Sequence, residues 1–539
     1  MDESVYLRQN VCVKPLVAGW CATEQLIPPV QAALNFKNVY LDLLHSYLES
    51  PSYHWSAART PSLIGGPWVD VEPARASRVE EFLAWTESAL ADLLALANDV
   101  LSLDRMLQDE AKGGGLADLY KRMPERLRGY VEIVYDAAHQ PSMRFIESLL
   151  YRSPYYDRSL QSVGLELINC DKRAPQFTTP LLEGDVAVRV RLPFADEAFD
   201  DLFAMKTRPR SFGTIRERLG IDEKEVPAFR RLFTTEPPEP YRRRDFSGTR
   251  VRYFGHACVF FETSRVNLIV DPVVSYDYAD GPMRFTHRDL PERIDIGVIT
   301  HFHKDHLNLE TLLQLRCRIE TLVIPKNGGG AVQDPSFRLM LKSIGFKNVV
   351  ELERLESFPI PGGEIVAIPF LGEHADLDIQ SKAAFLVRLE GTATLCAADS
   401  SNIEPALYTH LGDYIGDVDA LFLGMECVGA PLSTTYGGIL LRPLPRQYDQ
   451  QRRTTGSDYA AALGIIDLLR PKRVHIYAMG LEPWLGHLLP IDPNRDHLGT
   501  VESDRVVAEC RSRGITASRP YCAEETVLSP AAGNGSDRG

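Results

Sequence analysis

Residues 300–306, with the sequence THFHKDH, place four potential metal ligands within six positions. These ligands are His301, His303, Asp305 and His306. The apolar run DIGVIT before them predicts a short buried strand, so the ligands begin where a strand ends. In extended backbone His301 and His303 leave the same face and can bind one ion, whereas Asp305 and His306 can reach a second. Imidazole beside carboxylate is typical of zinc or iron sites, and we expect two transition-metal ions.

Later apolar strands end in further candidate ligands. Glu373 and His374 follow IVAIPFLG, Asp399 ends the apolar part of TATLCAADS, and His475 lies in PKRVHIYAMG. Each has an ordinary alternative role, because a strand-end Asp often caps a helix and a lone His in an apolar run is often a core residue. Glu373 and His374 are adjacent and face opposite ways, so we expect only one of them to be a ligand.

Two other side chains are candidates for a catalytic role. Glu426 follows the apolar run LFLGM, and it could approach the metals, bind a substrate amine, or be a hydrogen-bonded acid at a strand end. Tyr477 is two residues past His475 on the same strand face, so it could line the site or pack in the core. The sequence leaves both alternatives open.

Length and composition are those of a large globular protein. The chain of 539 residues can hold more than one domain, and a formal net charge of −14 argues against a nucleic-acid-binding protein. No run approaches about 18 apolar residues, and the first residues show no signal peptide, so we expect no membrane association. Nine scattered cysteines without a CxxC pair predict reduced thiols and a cytoplasmic protein.

The first part of the chain is rich in helical patterns. Apolar residues recur with a period near 3.6, which predicts helices at 30–49, 78–112, 116–140 and 142–153. Strands are predicted between 165 and 193. This part of the chain therefore has a mixed, helix-rich texture.

Strands and helices alternate in the second part of the chain. The proline-rich residues 234–241 mark the connection between the two parts. We predict an N-terminal mixed α/β domain at 1–245, a second domain at 246–528 and a disordered tail at 529–539. The many apolar strands of the second domain suit two packed sheets with helices outside.

The order of the candidate ligands resembles the metallo-β-lactamase fold across about residues 248–529. The segments GHACVFFE and LIVDPVVS resemble the early strands of that fold, with Asp271 as a buried supporting acid. The resemblance implies an α/β protein whose C-terminal αββα domain follows a large, helix-rich N-terminal domain. It also implies two metals bridged by Asp399, with His301, His303 and the residue near 373 at one, and Asp305, His306 and His475 at the other.

Glu373 departs from many hydrolases of this fold, which have His at that position. Additional anionic oxygen favours iron over zinc. In length, in its large N-terminal domain and in its ligand order, the whole chain resembles the diiron β-hydroxylases of chloramphenicol biosynthesis and their relatives. On that resemblance we take Glu373 rather than His374 as the ligand. The implied iron ligands are His301, His303, Glu373 and Asp399 at one ion, and Asp305, His306, Asp399 and His475 at the other.

The resemblance implies an oxygen-dependent diiron monooxygenase. Its substrate would be an amino acid held as a thioester on a nonribosomal peptide synthetase carrier domain, hydroxylated at the β-carbon, with O2 as co-substrate. It further implies an external electron-donor reductase, since the sequence has no flavin or iron–sulfur motif, and a homodimer. The alternative is a dizinc hydrolase of the same fold that cleaves a lactone, thioester or phosphodiester. Glu373 is the residue that distinguishes the two.

A basic stretch between residues 206 and 244 is a candidate docking surface for the carrier domain. Carrier domains are commonly acidic, so a basic surface would favour their association. An ordinary solvated face is the alternative interpretation. The basic residues are Lys206, Arg208, Arg210, Arg216, Arg218, Lys224, Arg230, Arg231, Arg242, Arg243 and Arg244.

Overall fold

The computed structural model describes residues 3–243, 246–489, 491 and 497–530. The predicted disordered tail lies outside the described residues except for 529 and 530, and so does Arg244 of the basic stretch. In the part of the chain that is described, no helix is both long and apolar enough to cross a membrane.

Two seven-stranded sheets form the centre of the second domain. Each is parallel on one side and antiparallel on the other. Because both faces of the sheets are covered, the central strands are buried along most or all of their length. In spatial order the first sheet contains Val349–Leu352, Ile319–Pro325, Ile294–Val298, Asn267–Val270, Cys258–Glu262, Thr249–Gly255 and Glu524–Leu528. The second sheet contains Ser357–Ile360, Gly363–Ile368, Ala384–Leu389, Thr392–Cys396, Ala420–Gly424, Arg473–Tyr477 and Thr516–Ser518.

Helices cover the outer face of each sheet. Leu309–Leu315 and Phe337–Ser343 pack on the first sheet, and Ala406–Ile415, Tyr459–Leu469 and Leu498–Ser512 pack on the second. A separate apolar layer, which includes Val259, Phe385 and Phe422, fills the space between the sheets. The predicted αββα arrangement is confirmed.

The N-terminal part is built on a four-stranded antiparallel sheet of Trp20–Cys21, Val11–Val17, Gln161–Leu167 and Val188–Val190. A three-stranded sheet joins Arg210–Ser211, Ser4–Leu7 and Phe233–Thr234. The helices are Pro29–Asn35, Leu41–Glu49, Pro51–Ala57, Ala76–Ala89, Ala91–Glu110, Ala117–Arg122, Glu147–Leu150, Glu197–Ala204, Phe212–Arg218 and Val226–Arg230, with a π-helical turn at Phe36–Tyr40. One hydrophobic core joins this part to the outer helices of the first sheet. The two parts therefore share their largest core.

Two predicted helices of the N-terminal part are much shorter than predicted. Within 116–140 the α-helix is Ala117–Arg122, and within 142–153 it is Glu147–Leu150. Between them the chain forms the hairpin of Val131–Tyr135 and Pro141–Phe145. Its first strand, VEIVY, alternates buried Val131 and Ile133 with exposed Glu132, which is the two-residue period of a strand. The helix predicted at 78–112 is present, but Leu90 interrupts it between Ala76–Ala89 and Ala91–Glu110.

The basic stretch does not form an uncompensated positive surface. Lys206 is only 2% exposed, so it cannot contact a partner. Most of the other described basic residues are paired with acids of the same chain: Arg208 with Glu292, Arg210 and Arg218 with Asp201, Arg216 with Glu223, and Arg230 with Glu3. An ordinary ion-paired surface describes this stretch better than a dock.

A buried ion pair connects the two parts close to the ligand loop. Arg173, in the N-terminal part, donates two hydrogen bonds of 2.9 and 2.8 Å to Glu310, which lies in the helix after residues 300–306. Tyr276 also donates to Glu310, at 2.6 Å. Burial raises the pKa of Glu310, but Arg173 and His487 outweigh burial and hold that pKa well below its usual range. The pair thus fixes the N-terminal part against the ligand-bearing segment.

We expect Glu310→Ala to lower the free energy of unfolding by about 3 kcal/mol, because it leaves the Arg173 guanidinium buried without its partner. Chemical denaturation followed by circular dichroism measures this change. Glu292→Ala is the control, since its pair with Arg208 is exposed and contributes less than about 1 kcal/mol. Equal stability of the two variants would contradict a role for Glu310 in joining the parts.

Candidate metal centre

The ligand loop begins directly after the strand Ile294–Val298. It turns at His303, whose carbonyl accepts hydrogen bonds from the backbone N–H groups of His306 and Leu307. The turn brings His301, His303 and His306 to one side, with the rings of His301 and His306 centred 4.0 Å apart. The short predicted strand therefore delivers the ligands at its carboxyl end.

Asp271 orients the third histidine of the loop. It is fully buried, it accepts hydrogen bonds of 2.7 Å from the backbone N–H and the hydroxyl of Thr300, and it lies 2.9 Å from Nδ1 of His306. A carboxylate at Nδ1 turns Nε2 of the same ring toward the metal position. Asp271 thus has the supporting role that was expected of it.

Carboxylates from two other segments, Glu373 and Asp399, approach the imidazoles of the ligand loop. Glu373 Oε1 lies 2.7 Å from Nδ1 of His303, and Asp399 Oδ2 lies 3.2 Å from Nε2 of His306. Two groups of ligand atoms result, each with all atoms within 4.8 Å of one another: His301, His303 and Glu373, and His301, His306 and Asp399. The structure therefore brings six of the seven predicted ligands to one place, with Asp305 in a third group that includes His306.

Glu373 and His374 point to different partners. Glu373 joins the group with His301 and His303, whereas Nδ1 of His374 lies 2.6 Å from the hydroxyl of Tyr436. The same hydroxyl lies 2.5 Å from Nε2 of His303. Tyr436 therefore holds both rings in place, and the sequence analysis did not identify it because it lies more than a hundred residues from the ligand loop.

The structure does not bring His475 to the cluster. Its ring stacks on Phe422 with centroids 4.6 Å apart, and Nδ1 lies 2.9 Å from the Ser518 hydroxyl and 3.2 Å from Glu524. His475 is two residues before the end of its strand, which ends at Tyr477, so about 7 Å separates it from the strand end. The assignment of His475 as a ligand is corrected on this ground.

His256 takes the place next to Asp305 that was assigned to His475. Its Nε2 lies 3.0 Å from Oδ2 of Asp305, and His256, Asp305 and His306 form the third group of ligand atoms. Its backbone N–H donates to Glu482 at 2.9 Å. His256 belongs to the segment GHACVFFE, and its place at the end of an early strand was the available sequence signal for a ligand.

His497 is another imidazole at the edge of this region. It directly precedes the helix Leu498–Ser512. A Cβ at Gly499 would lie 2.6 Å from the carbonyl oxygen of Met425 and 3.4 Å from that of Glu426, so the helix begins beside the site.

Backbone strain concentrates at the same strand ends. His256, Asp271 and Glu373 have φ angles of 51°, 43° and 73°, which residues other than glycine rarely adopt. Strained conformations of this kind persist where the surrounding structure enforces them, often at functional sites.

Tyr477 and Glu426 have different positions. Tyr477 is buried between the sheets, and its hydroxyl accepts a hydrogen bond of 3.0 Å from the N–H of Ala398, next to Asp399. Glu426 faces a cavity beside the cluster and accepts a hydrogen bond of 3.3 Å from the Thr454 hydroxyl. Tyr477 therefore supports the Asp399 segment without contacting the cavity, whereas Glu426 lines it.

The charges and unsatisfied atoms of the cluster fit metal ions. Nε2 of His306, Oε2 of Glu373 and Oδ1 of Asp399 are buried and form no hydrogen bond. Burial and the Asp399 carboxylate raise the pKa of Glu373 well above its usual value. Glu426 is exposed and lies on the cavity wall. The surrounding protein raises its pKa to about 8, and the carboxylates of Glu373 and Asp399 add to that increase. This excess of negative charge is what bound cations would neutralise, and the mixed imidazole and carboxylate donors suit iron.

A cavity of 710 Å³ adjoins the cluster. Both parts of the chain line it: Glu24, Tyr40, Leu43, Pro175 and Phe177 come from the N-terminal part, and His256, His303, Asp305, Glu373, Asp399, Glu426 and Leu488 from the second domain. The volume is in the range of small-molecule sites.

Comparison with known proteins places the chain in a family. Residues 6–237 match the family model of the diiron non-heme beta-hydroxylase N-terminal domain, and residues 266–474 match that of the beta-lactamase superfamily domain. The chain is 37% identical over 520 residues to the 4-amino-L-phenylalanyl-(CmlP-peptidyl-carrier-protein) 3-hydroxylase of Streptomyces venezuelae, which covers 95% of this chain and 98% of that protein. This chain belongs to the diiron β-hydroxylases.

Solved structures agree with this assignment. The crystal structure of CmlA, a diiron β-hydroxylase from Streptomyces venezuelae, superposes with a TM-score of 0.91 at 36% identity, covering 98% of this chain and all of the other. A glutamate-to-aspartate mutant of CmlA gives a TM-score of 0.88 at 35% identity, covering 97% of this chain and all of the other. The resemblance drawn from the sequence is confirmed, the enzyme is a diiron β-hydroxylase, and the hydrolase alternative is set aside.

We expect His256→Ala to lower the iron content of this β-hydroxylase below two ions per chain after dialysis, and His475→Ala to leave it at two. Loss of a ligand, or loss of a residue that positions Asp305, would weaken metal binding. In the second case the expected decrease is roughly 10- to 100-fold. Elemental analysis and the optical spectrum measure the bound iron.

Loss of iron from His475→Ala would contradict the placement of that residue. Retention of both ions by His256→Ala would contradict a role of His256 in metal binding.

Proposed function

We propose that this enzyme hydroxylates the β-carbon of an amino acid that is bound as a thioester to a carrier domain of a nonribosomal peptide synthetase. The observation that carries the proposal is the 37% identity across both domains to a hydroxylase whose name specifies an aminoacyl group on a peptidyl carrier protein. The cavity beside the cluster supports it, since 710 Å³ has room for an amino acid and part of the arm that carries it.

Two irons and O2 are part of the proposal. Bound iron would supply the redox chemistry of O2-dependent hydroxylation. We propose that His301, His303, Glu373 and Asp399 hold one ion, and that Asp305, His306 and Asp399 hold the other with His256 adjacent to Asp305. Support comes from the three groups of ligand atoms described above.

The reaction requires an external electron donor. When one oxygen atom of O2 enters a C–H bond and the other becomes water, two electrons and two protons are needed in addition to the electrons of the C–H bond. We therefore propose a reductase as a second partner.

The chain's own residues would orient the reaction. Asp271 and Tyr436 hold His306 and His303 in fixed directions, and Tyr477 holds the backbone that precedes Asp399. Preorganised ligands reduce the rearrangement that the reaction would otherwise require. Glu426 lies on the cavity wall beside the cluster, where it can hold or release a proton close to the substrate.

Oligomeric state and location are further proposals. The exposed aromatic side chains Tyr53 and Trp85 of the N-terminal helices, 60% and 46% exposed, are available for a contact in a homodimer. All nine cysteines are free thiols, which suits a reducing, cytoplasmic compartment. Light scattering would show twice the chain mass of 60.4 kDa for a dimer.

We expect the iron-loaded enzyme, with O2 and a reductant, to add one oxygen atom to an aminoacyl carrier domain. Mass spectrometry of intact carriers loaded with a panel of amino acids measures this gain. Glu373→His should lower the rate by at least about 100-fold, because it replaces an anionic oxygen donor next to His303.

Glu364→His is the control, since Glu364 lies on a partly exposed strand and pairs with Arg388. Undiminished oxygen-dependent turnover by Glu373→His would contradict the ligand assignment. Release of the amino acid from the carrier by a zinc-loaded enzyme, without gain of oxygen, would contradict the proposed reaction.

A further inference from the structure

We propose that Glu24 binds the α-ammonium group of the carrier-bound amino acid, an inference that rests on the proposed function. Glu24 lies between the strand Trp20–Cys21 and the helix Pro29–Asn35 of the N-terminal part. It is 7% exposed and lines the 710 Å³ cavity together with His303 and Asp305 of the ligand loop. The N-terminal part thus contributes a carboxylate to the active-site cavity.

Glu24 has no protein partner for one of its carboxylate oxygens. In the described part of the chain, the buried Oε2 atom forms no hydrogen bond. A buried polar atom without a partner is unfavourable, and native proteins retain few of them. The position of this one on a cavity wall indicates that a ligand supplies the missing donor.

The nearby cation of the protein forms no hydrogen bond with the unpartnered oxygen of Glu24. Lys304 lines the same cavity and its charge favours the Glu24 carboxylate, but its ammonium lies 4.4 Å from the centre of the Phe177 ring. This cation–π contact directs Lys304 toward the loop that carries Pro175 and Phe177. The hydrogen-bond donor that this oxygen of Glu24 lacks would therefore be a cationic group that enters with the substrate.

The position of Glu24 beside the ligand loop selects the α-ammonium among the amines that a substrate could carry. The α-nitrogen and the β-carbon are bonded to the same α-carbon, so a carboxylate that holds the nitrogen also fixes the carbon that reacts. Glu24 shares its cavity wall with His303 and Asp305, so this contact would keep the β-carbon close to the metals. A side-chain amine lies beyond the β-carbon and would not fix it in this way.

Glu426 is the other carboxylate of the cavity outside the ligand set, but its surroundings differ. Glu373 and Asp399 are its main charged neighbours, and Thr454 donates a hydrogen bond to it. The negative charge of Glu426 therefore belongs to the group of carboxylates whose charge bound metal ions would balance. Glu24 comes from a different part of the chain, and its charged neighbours are His303, Lys304 and Asp305 of the ligand loop.

The test compares two substrates with two enzymes. The substrates are the aminoacyl carrier that the wild-type enzyme hydroxylates best and the same carrier loaded with the matching acyl group that lacks the α-amino group. The enzymes are the iron-loaded wild type and Glu24→Gln, which keeps the shape of the side chain and removes its charge. Rates of oxygen gain at several carrier concentrations give kcat/KM for each combination.

We expect Glu24→Gln to lower kcat/KM for the aminoacyl carrier by about 100-fold and that for the des-amino carrier by less than about twofold. A merely structural role of Glu24 would lower both values equally. The melting temperature should stay the same or rise, because burial disfavours the Glu24 carboxylate and the variant removes that group.

Glu147→Gln is the matched control. Glu147 is also a shielded carboxylate of the N-terminal part, but it accepts a hydrogen bond of 2.8 Å from the Ser336 N–H and does not line the cavity. We expect Glu147→Gln to keep the wild-type ratio of kcat/KM between the aminoacyl and des-amino carriers.

Other outcomes would overturn the proposal in distinguishable ways. One such outcome is that the wild type hydroxylates the aminoacyl carrier while Glu24→Gln keeps the wild-type ratio of kcat/KM between the aminoacyl and des-amino carriers. That result would exclude the ammonium site and leave the proposed function intact. If Glu24→Gln instead lowers kcat/KM for the aminoacyl and des-amino carriers by the same factor, the assignment to the α-nitrogen is wrong. No gain of oxygen by the wild type on any aminoacyl carrier would overturn the proposed function itself.

Discussion

The close approach of buried carboxylates at one edge of the two sheets is the constraint on which the rest of the structure depends. Asp305, Glu373 and Asp399 come from three segments, yet they meet the imidazoles of a single loop. Such a concentration of negative charge is unfavourable in a protein interior unless cations balance it. The site is therefore organised as a metal centre, and the surrounding packing holds its donors in place on the strained backbone of the strand ends.

Support for these donors comes from groups that do not themselves bind metal. Asp271 orients His306, Tyr436 contacts both His303 and His374, and Tyr477 fixes the backbone next to Asp399. Interactions of this kind determine ring orientation and ligand basicity. They explain why the second domain keeps buried polar side chains in an otherwise apolar interior.

The N-terminal part completes the active site and is more than an attached domain. It shares a hydrophobic core with the outer helices of the first sheet, and the Arg173–Glu310 pair joins it to the helix after the ligand loop. Phe177 and Glu24 of this part line the cavity. The candidate metal donors come from the second domain, whereas the N-terminal part contributes to the wall of the adjoining cavity.

Local patterns in the sequence predicted the ligand loop, Asp399 as a candidate ligand and most strands of the second domain, because ligand type, short spacing and buried strands are properties of neighbouring residues. The choice of Glu373 over His374 came from the family resemblance. The fold class and the family followed from the order of those motifs. Tertiary structure alone decided that His475 stacks on Phe422 while His256 approaches Asp305, and it placed Tyr436 and Glu24 at the site. It also showed a hairpin where helices were predicted at 116–153. The physical reason is that these features depend on which distant strand ends and loops pack together, and that packing brings together residues whose separation along the chain carries no signal.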